Sequence, residues 1–224
     1  MNTLLKYQLP KRPFFFDGKN VHYPETDGEP MAETDIHAKL LIYLRESLEL
    51  FFADRVDVYV TGNIMFYYVE GEPEESVAPD VMICFGVPKG NRTSYKTWEE
   101  NDVVPAIVIE IASRGTWRKD RLEKVELYAM LGVQEYYIFN PMYSKTLPAF
   151  MAFRLNEGKL DSIAIEDGRM KSDVLGLELV DTGKTLRLFN PQTAEFLKTT
   201  EELASENVRL KAEIERLQKL LQDK

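Results

Sequence analysis

Two acidic residues stand in apolar segments, where a charge is unexpected. Asp80 follows Pro79 at the start of the run VMICF, and Glu110 lies inside IVIEIAS. Burying a lone carboxylate is costly, so each needs a bound partner. Two carboxylates at the ends of adjacent strands could share Mg²⁺ or Mn²⁺, since both ions prefer oxygen ligands. The pattern therefore predicts a metal site that activates water against a phosphate ester. For Asp80 alone, the alternative is a strand-start residue that binds backbone amides.

A second group of polar residues lies on a predicted helix further along the chain. Asp120, Lys124 and Tyr128 recur every four residues and therefore share one helix face. A lysine beside a metal site can orient the attacking water or stabilise charge on phosphorus. Lys124 could instead form a surface ion pair with Asp120, an interaction of small value.

Residues 114–124 form a basic segment in an acidic chain. The segment has five positive and two negative side chains, a local net charge of +3, whereas the whole chain has a net charge of −9. Phosphate binding requires a basic surface, so this segment is the candidate nucleic-acid-binding surface. The alternative is a solvated loop and helix start. Besides Lys124, the basic candidates are Arg114, Arg118, Lys119 and Arg121.

Hydrophobic periodicity predicts the elements that position these residues. A helix begins at Thr34 or Asp35 and carries an apolar stripe. Strands over 80–85 and 106–112 are apolar enough to be buried on both faces, and a helix over 120–131 leads to a strand over 135–139. Hairpins are predicted at 56–60 with 64–69, 149–155 with 159–165, and 177–180 with 185–189. This order indicates an α/β (α+β) domain with a strand–helix–strand crossover.

Four segments occur in a characteristic order: MAETDIHAKLLIYL, APDVMICFGV, IVIEIAS and RKDRLEKVELYAMLGVQEYYIFNP. In order and spacing they resemble the PD-(D/E)XK restriction-endonuclease-like superfamily, and within it the Uma-type family of restriction endonucleases. The resemblance implies a mixed central sheet flanked by helices, with extra β-hairpins. It also implies that Asp80 and Glu110 bind the metal. The superfamily's usual lysine position, two residues after the acid, is Ala112 in this chain.

The resemblance therefore implies that the following helix supplies the catalytic lysine as Lys124. The implied activity is that of an Mg²⁺-dependent (or Mn²⁺-dependent) endonuclease that hydrolyses phosphodiester bonds in DNA, and RNA stays open as an alternative substrate. A nuclease fold can lose catalysis and persist as a nucleic-acid-binding module, which is one alternative function. A dimeric scaffold protein is another. The implied supporting residues are His37, Asp120 and Tyr128.

The C-terminal segment has a seven-residue repeat. Leu203, Leu210 and Leu217 occupy one heptad position, and Asn207, Ile214 and Leu221 lie four residues after each of them. Assigning these sets to positions d and a predicts a short two-stranded coiled coil and a homodimer. The alternative is an amphipathic helix that folds back on its own domain. We therefore divide the chain into an N-terminal arm (1–30), an endonuclease-like domain (31–190) and a C-terminal helix (191–224).

Amino-acid composition argues against several other classes of protein. The chain has one cysteine, Cys84, and two histidines, His22 and His37, which argues against disulfides and zinc enzymes. The first residues hold no apolar run long enough for a signal peptide or a membrane span, so we expect a cytoplasmic protein without a membrane partner.

Overall fold

The computed structural model describes residues 21–26, 34–112, 117–143 and 148–222, with only the backbone described at 117–120. Most of the predicted N-terminal arm, residues 1–20 and 27–30, lies outside the described residues. The helices are α1 (Asp35–Phe51), α2 (Trp117–Leu131) and α3 (Thr200–Gln222), with a 3₁₀ turn at Thr97–Glu99. The strands are β1 (Val58–Thr61), β2 (Met65–Tyr67), β3 (Ser76–Val77), β4 (Val81–Phe85), β5 (Ser94–Lys96), β6 (Ile107–Ile111), β7 (Glu135–Phe139), β8 (Phe150–Asn156), β9 (Lys159–Ile163), β10 (Arg169–Ser172), β11 (Leu177–Asp181), β12 (Leu186–Asn190) and β13 (Glu195–Phe196).

A six-stranded mixed sheet forms the centre of the domain. Its strand order is β1-β4-β6-β7-β8-β9, in which β6 and β7 are parallel and the other neighbours are antiparallel. Helix α2 connects the two parallel strands, as the sequence predicts. Its backbone begins at Trp117 rather than at residue 120. It ends at Leu131 and is followed by Gly132, whose φ of +87° suits glycine. The predicted α+β architecture with a mixed central sheet is confirmed.

The two faces of this sheet are covered by different helices. Because side chains alternate along a strand, Val81, Ile83 and Ile109 pack in one core cluster with the buried stripe of α1. On the other face, Met82 and Val108 pack with buried residues of α2. Glu110 has the same parity in β6 as Val108 and therefore lies on the α2 face.

Helix α1 begins with a side-chain cap. The Thr34 hydroxyl accepts the His37 backbone N–H, and Asp35 in the first turn complements the helix dipole. Leu40, Leu44 and other apolar residues of the stripe are buried against the sheet. This packing fixes the first turn of α1, and with it His37, beside the start of β4.

The predicted hairpin over 56–60 and 64–69 is wrong. Strand β1 pairs with β4 of the central sheet, whereas β2 pairs with β3 and β5 in a separate three-stranded sheet. The chain between them passes close against the start of β4, where the Asn63 N–H donates to the Pro79 carbonyl. The turn therefore separates two sheets instead of joining two strands of one.

The two later hairpins are confirmed as β8–β9 and β11–β12. The second belongs to a four-stranded sheet, β10-β11-β12-β13, whose apolar face joins the α1 side of the core. Strand β13 lies within the segment that we assigned to the C-terminal helix, and α3 begins only at Thr200. In the part of the chain that the structure describes, no helix is long and apolar enough to span a membrane.

Candidate active site

The structure places Asp80, which immediately precedes β4, opposite Glu110 of the neighbouring strand β6. Val81 pairs with Ile109 in the antiparallel β4–β6 ladder, so one further step of this register sets Asp80 opposite Glu110. The Asp80 backbone N–H donates to Glu110 Oε2 at 3.4 Å. Two acidic residues that are distant in sequence are thus neighbours at one end of the central strands.

Asp80 is oriented by one contact on each of its carboxylate oxygens. The Ile111 backbone N–H donates to Asp80 Oδ2 at 2.6 Å. The other oxygen, Oδ1, lies 3.2 Å from His37 Nε2, and both side chains are mostly buried. The first turn of α1 and the end of β6 therefore hold this carboxylate in a fixed orientation.

Gly62 limits the space around Asp80, and the sequence analysis did not single it out. A Cβ atom at Gly62 would lie 1.8 Å from the Asp80 carbonyl oxygen, so any other residue would force the backbone apart. Glycine is the residue expected where two backbone segments approach this closely. Only the glycine in Thr61-Gly62-Asn63 signals this contact in the sequence, where it reads equally well as a turn.

Glu110 is buried and receives two donors on one oxygen. Its exposed fraction is 3%. Lys124 Nζ donates to Glu110 Oε1 at 2.8 Å, and the Tyr128 hydroxyl donates to the same oxygen at 3.0 Å. Tyr128 is itself fully buried and makes an edge-to-face contact with Tyr136, with ring centroids 4.9 Å apart. One face of α2 thus directs both Lys124 and Tyr128 onto Glu110.

Other predicted site residues are described only in part. The Asp120 side chain and those of Arg118 and Lys119 lie outside the described residues, as does Arg114 altogether. Arg121 is exposed on α2. Lys124, predicted either to serve the site or to pair with Asp120, makes its described ion pair with Glu110.

The oxygen ligands available suit a hard divalent cation. Among the described residues, no group of three or more His, Cys, Asp or Glu side chains could hold a metal ion. Mg²⁺ is commonly bound through one or two carboxylates, with water and substrate phosphate completing its shell. Asp80 and Glu110 supply the two carboxylates that such an Mg²⁺ site needs. The imidazole of His37 lies within hydrogen-bonding distance of the Asp80 carboxylate.

A second buried carboxylate lies at the opposite end of the parallel strands. Glu135 is 1% exposed at the first residue of β7, where it pairs with Ile107, the first residue of β6. It accepts from Tyr137 Oη at 2.8 Å, from the Asp173 N–H at 3.2 Å, from Arg154 at 3.3 Å and from the Ser172 hydroxyl. These donors come from three strands and the turn that follows β10, so we interpret Glu135 as a structural carboxylate.

Comparison with known proteins identifies the family. The family model described as "Uma2: Putative restriction endonuclease" matches residues 6–182, which is more than half of the chain. The chain belongs to the Uma2 family. A comparison with curated proteins found no match. Among solved structures, the chain is similar to the crystal structure of a putative nuclease belonging to DUF820 from Anabaena variabilis. The identity is 11%, the TM-score is 0.49, and the alignment covers 66% of this chain and 76% of that chain.

In this Uma2-family chain, the position two residues after Glu110 cannot supply the lysine. Ala112 is buried, with an exposed fraction of 4%, and its N–H donates to the Phe139 carbonyl. Lys124 reaches Glu110 from the following helix instead. The resemblance predicted this family, and the match to the family model confirms it.

Proposed function

We propose that this Uma2-family chain is a metal-dependent endonuclease that hydrolyses phosphodiester bonds in DNA. The observation that carries the proposal is the convergence of Asp80, Glu110 and Lys124, which come from three separate segments of the chain. Lys124 Nζ donates to Glu110 Oε1 at 2.8 Å, and the Asp80 backbone N–H donates to Glu110 Oε2 at 3.4 Å. Membership of a family of restriction endonucleases supports the activity class.

In this proposal Asp80 and Glu110 bind Mg²⁺ or Mn²⁺. When bound, the ion would lower the pKa of a water ligand and neutralise charge on the scissile phosphate. Asp80 is preoriented for this role by the Ile111 N–H and by His37. Glu110 is preoriented by Tyr128, which has no exposed surface and cannot easily move away. Such preorganisation means that little rearrangement is needed when substrate arrives.

Lys124 is proposed as the catalytic lysine. Its ammonium group lies 2.8 Å from Glu110, and its side chain keeps 14% of its surface exposed. A cation in that position can donate to a phosphate oxygen or hold an attacking water while it remains beside the buried carboxylate. We propose Asp120 as a further residue that orients Lys124, because it lies one helical turn earlier.

DNA binding would have to rely on a local basic surface, because the whole chain has a net charge of −9. Arg121 is exposed on α2, three residues before Lys124. We propose that Arg121 contacts phosphate, together with Arg114, Arg118 and Lys119. A few phosphate contacts give salt-dependent binding, so affinity should fall steeply as salt rises.

A second candidate function follows from the same contacts. Glu110 Oε1 already accepts from two donors, as a purely structural carboxylate would. The chain would then be a nucleic-acid-binding module with an inactive nuclease fold. The two candidates differ in whether removing the carboxylate charge abolishes a chemical step.

A cleavage assay separates these candidates. Purified chain is incubated with double-stranded DNA, single-stranded DNA and RNA in Mg²⁺, Mn²⁺ or a chelator, and the variant is Glu110→Gln. Glu135→Gln is the matched control, because it neutralises an equally buried carboxylate at the other end of the strands.

We expect metal-dependent cleavage that Glu110→Gln abolishes and Glu135→Gln retains. Cleavage that survives Glu110→Gln would reject the assigned site. Binding of nucleic acid without cleavage in any metal would instead favour the inactive module, and preferential cleavage of RNA would correct the substrate.

A further inference from the structure

Helix α3 presents an apolar stripe that no other described part of the chain covers. None of its residues is buried. Leu210, Ile214, Leu217 and Leu221 are 55%, 53%, 51% and 75% exposed. An isolated helix gains little stability from its backbone alone, and most helices in proteins are stabilised by packing an apolar face. The exposed stripe therefore indicates a partner.

Only the start of α3 is attached to the domain. Arg187 forms an ion pair with Glu202 at 2.9 Å, and Lys198 forms one with Glu206 at 2.6 Å. Leu203 is half-buried beside Tyr43 of α1. From Val208 to Gln222 every residue is exposed, so the alternative of a helix that folds back on its own domain is wrong for this part.

We propose that the partner is a second copy of this chain, paired with it through α3 in a parallel two-stranded coiled coil. Leu210, Ile214, Leu217 and Leu221 fall on the a and d positions of the heptad, which form the seam of such a pair. Asn207 occupies the first exposed a position. A single asparagine at this position favours a parallel pair of two helices, because the two amides can bond to each other.

The charges beside the seam favour the parallel direction. In a parallel pair, Glu206 at position g faces Lys211 of the partner subunit at position e, which is attractive. A different pairing arises in the antiparallel register that sets Leu210 against Ile214 of the partner subunit. There each Glu213 would face the partner's Glu213 and each Lys211 would face the partner's Lys211, so like charges would repel each other. That register would also set Asn207 against Leu217 of the partner subunit, which buries an amide without a hydrogen-bonding partner.

A parallel pair fixes where the two domains lie. Because α3 follows the domain in the chain, both domains would lie at the same end of the coiled coil, related by a two-fold axis along the seam. If the proposed endonuclease function holds, two sites related in this way suit cleavage of the two strands of a duplex. The self-association itself does not depend on that function.

The first test measures the mass of the full-length chain in solution, by light scattering after gel filtration. We expect twice the 25.9 kDa of one chain. Ile214→Asp should reduce the mass to that of one chain, because it sets charges against each other in the seam. Val208→Asp is the matched control, since Val208 is 68% exposed on the same helix but lies at position b, off the seam.

A monomeric wild-type chain would overturn the proposal. So would a dimer that survives Ile214→Asp, since it would have to form through another surface. Circular dichroism checks that both variants keep the folded domain. Neither substitution touches Asp80 or Glu110, so failure of the dimer and failure of the nuclease proposal can be told apart.

The second test measures helix direction by disulfide formation. The native Cys84 is buried, and burial raises the pKa of its thiol to about 12, so it should contribute little background. Ile214→Cys, which keeps Asn207, should give a covalent dimer under mild oxidation, because the parallel register sets position 214 beside its copy, within the reach of a disulfide. Val208→Cys should not. Equal yields from the two variants, or no crosslink from Ile214→Cys in a dimeric chain, would reject the parallel pairing.

Discussion

Replacing Lys124 with methionine should destabilise the fold by leaving a buried carboxylate without its cation. Glu110 is 3% exposed, and its described ion pair is with Lys124 Nζ at 2.8 Å. Removing one partner of a buried ion pair costs about 3–5 kcal/mol. Lys124 keeps 14% of its side chain exposed and Tyr128 still donates to the carboxylate, so we expect about 3 kcal/mol, the lower end of that range.

This loss can be measured by thermal unfolding in a chelator. For a domain of this size each kcal/mol lowers the midpoint by about 2–4 °C, so Lys124→Met should lower it by about 6–12 °C. The control is Arg121→Met, which removes an exposed cation from the same helix and should change the midpoint little. A double variant that also carries Glu110→Gln should recover most of the loss, because no buried charge remains.

Adding a divalent metal ion to the Lys124→Met variant connects this stability measurement to the proposed metal site. If Asp80 and Glu110 bind Mn²⁺, adding the ion should restore part of the lost stability in Lys124→Met, because the ion replaces the missing positive charge. Restoration should disappear when Glu110→Gln is added. A loss of stability in Lys124→Met no larger than that in Arg121→Met would contradict this prediction, as would a double variant no more stable than Lys124→Met alone.

Two further predictions concern Gly62 beside the candidate site and Glu202 in the first turn of α3. Gly62→Ala forces a Cβ against the Asp80 carbonyl, so it should lower the free energy of unfolding in urea by about 1–3 kcal/mol and weaken metal binding. Gly90→Ala is the control and should do neither, because its Cβ would meet only a side-chain nitrogen of Arg92 at 3.8 Å. A hydrogen bond from the Thr199 N–H lowers the pKa of Glu202 below its ordinary 4.5. Its contribution to stability is therefore complete above pH 4.5 and is lost as the pH falls through the lowered pKa. Glu202→Gln should flatten this acid dependence, and an unchanged pH profile would contradict it.

The elements around the site were predictable because their signals are local. The apolar stripe and cap of α1, the apolar runs of β4 and β6, and the four-residue spacing of Lys124 and Tyr128 can each be read from consecutive residues. Glu110 was conspicuous because a carboxylate stands among isoleucines. A short segment of sequence is enough to show each of these features.

The remaining features depend on tertiary contacts. Strands β1 and β2 look like a hairpin, but their partners lie in different sheets, which no local pattern encodes. The approach of Gly62 to Asp80 likewise depends on how two distant segments meet. Glu135 carries no motif, and its role is visible only when its donors from other strands surround it.

Calorimetric titration of Mn²⁺ tests the central claim most directly, because it requires no knowledge of the nucleic-acid substrate. Wild-type chain is compared with an Asp80→Asn/Glu110→Gln double variant and with Glu135→Gln as the control. We predict saturable binding in the wild type and the control, and none in the double variant. Equal binding in all three chains would contradict a metal site at Asp80 and Glu110.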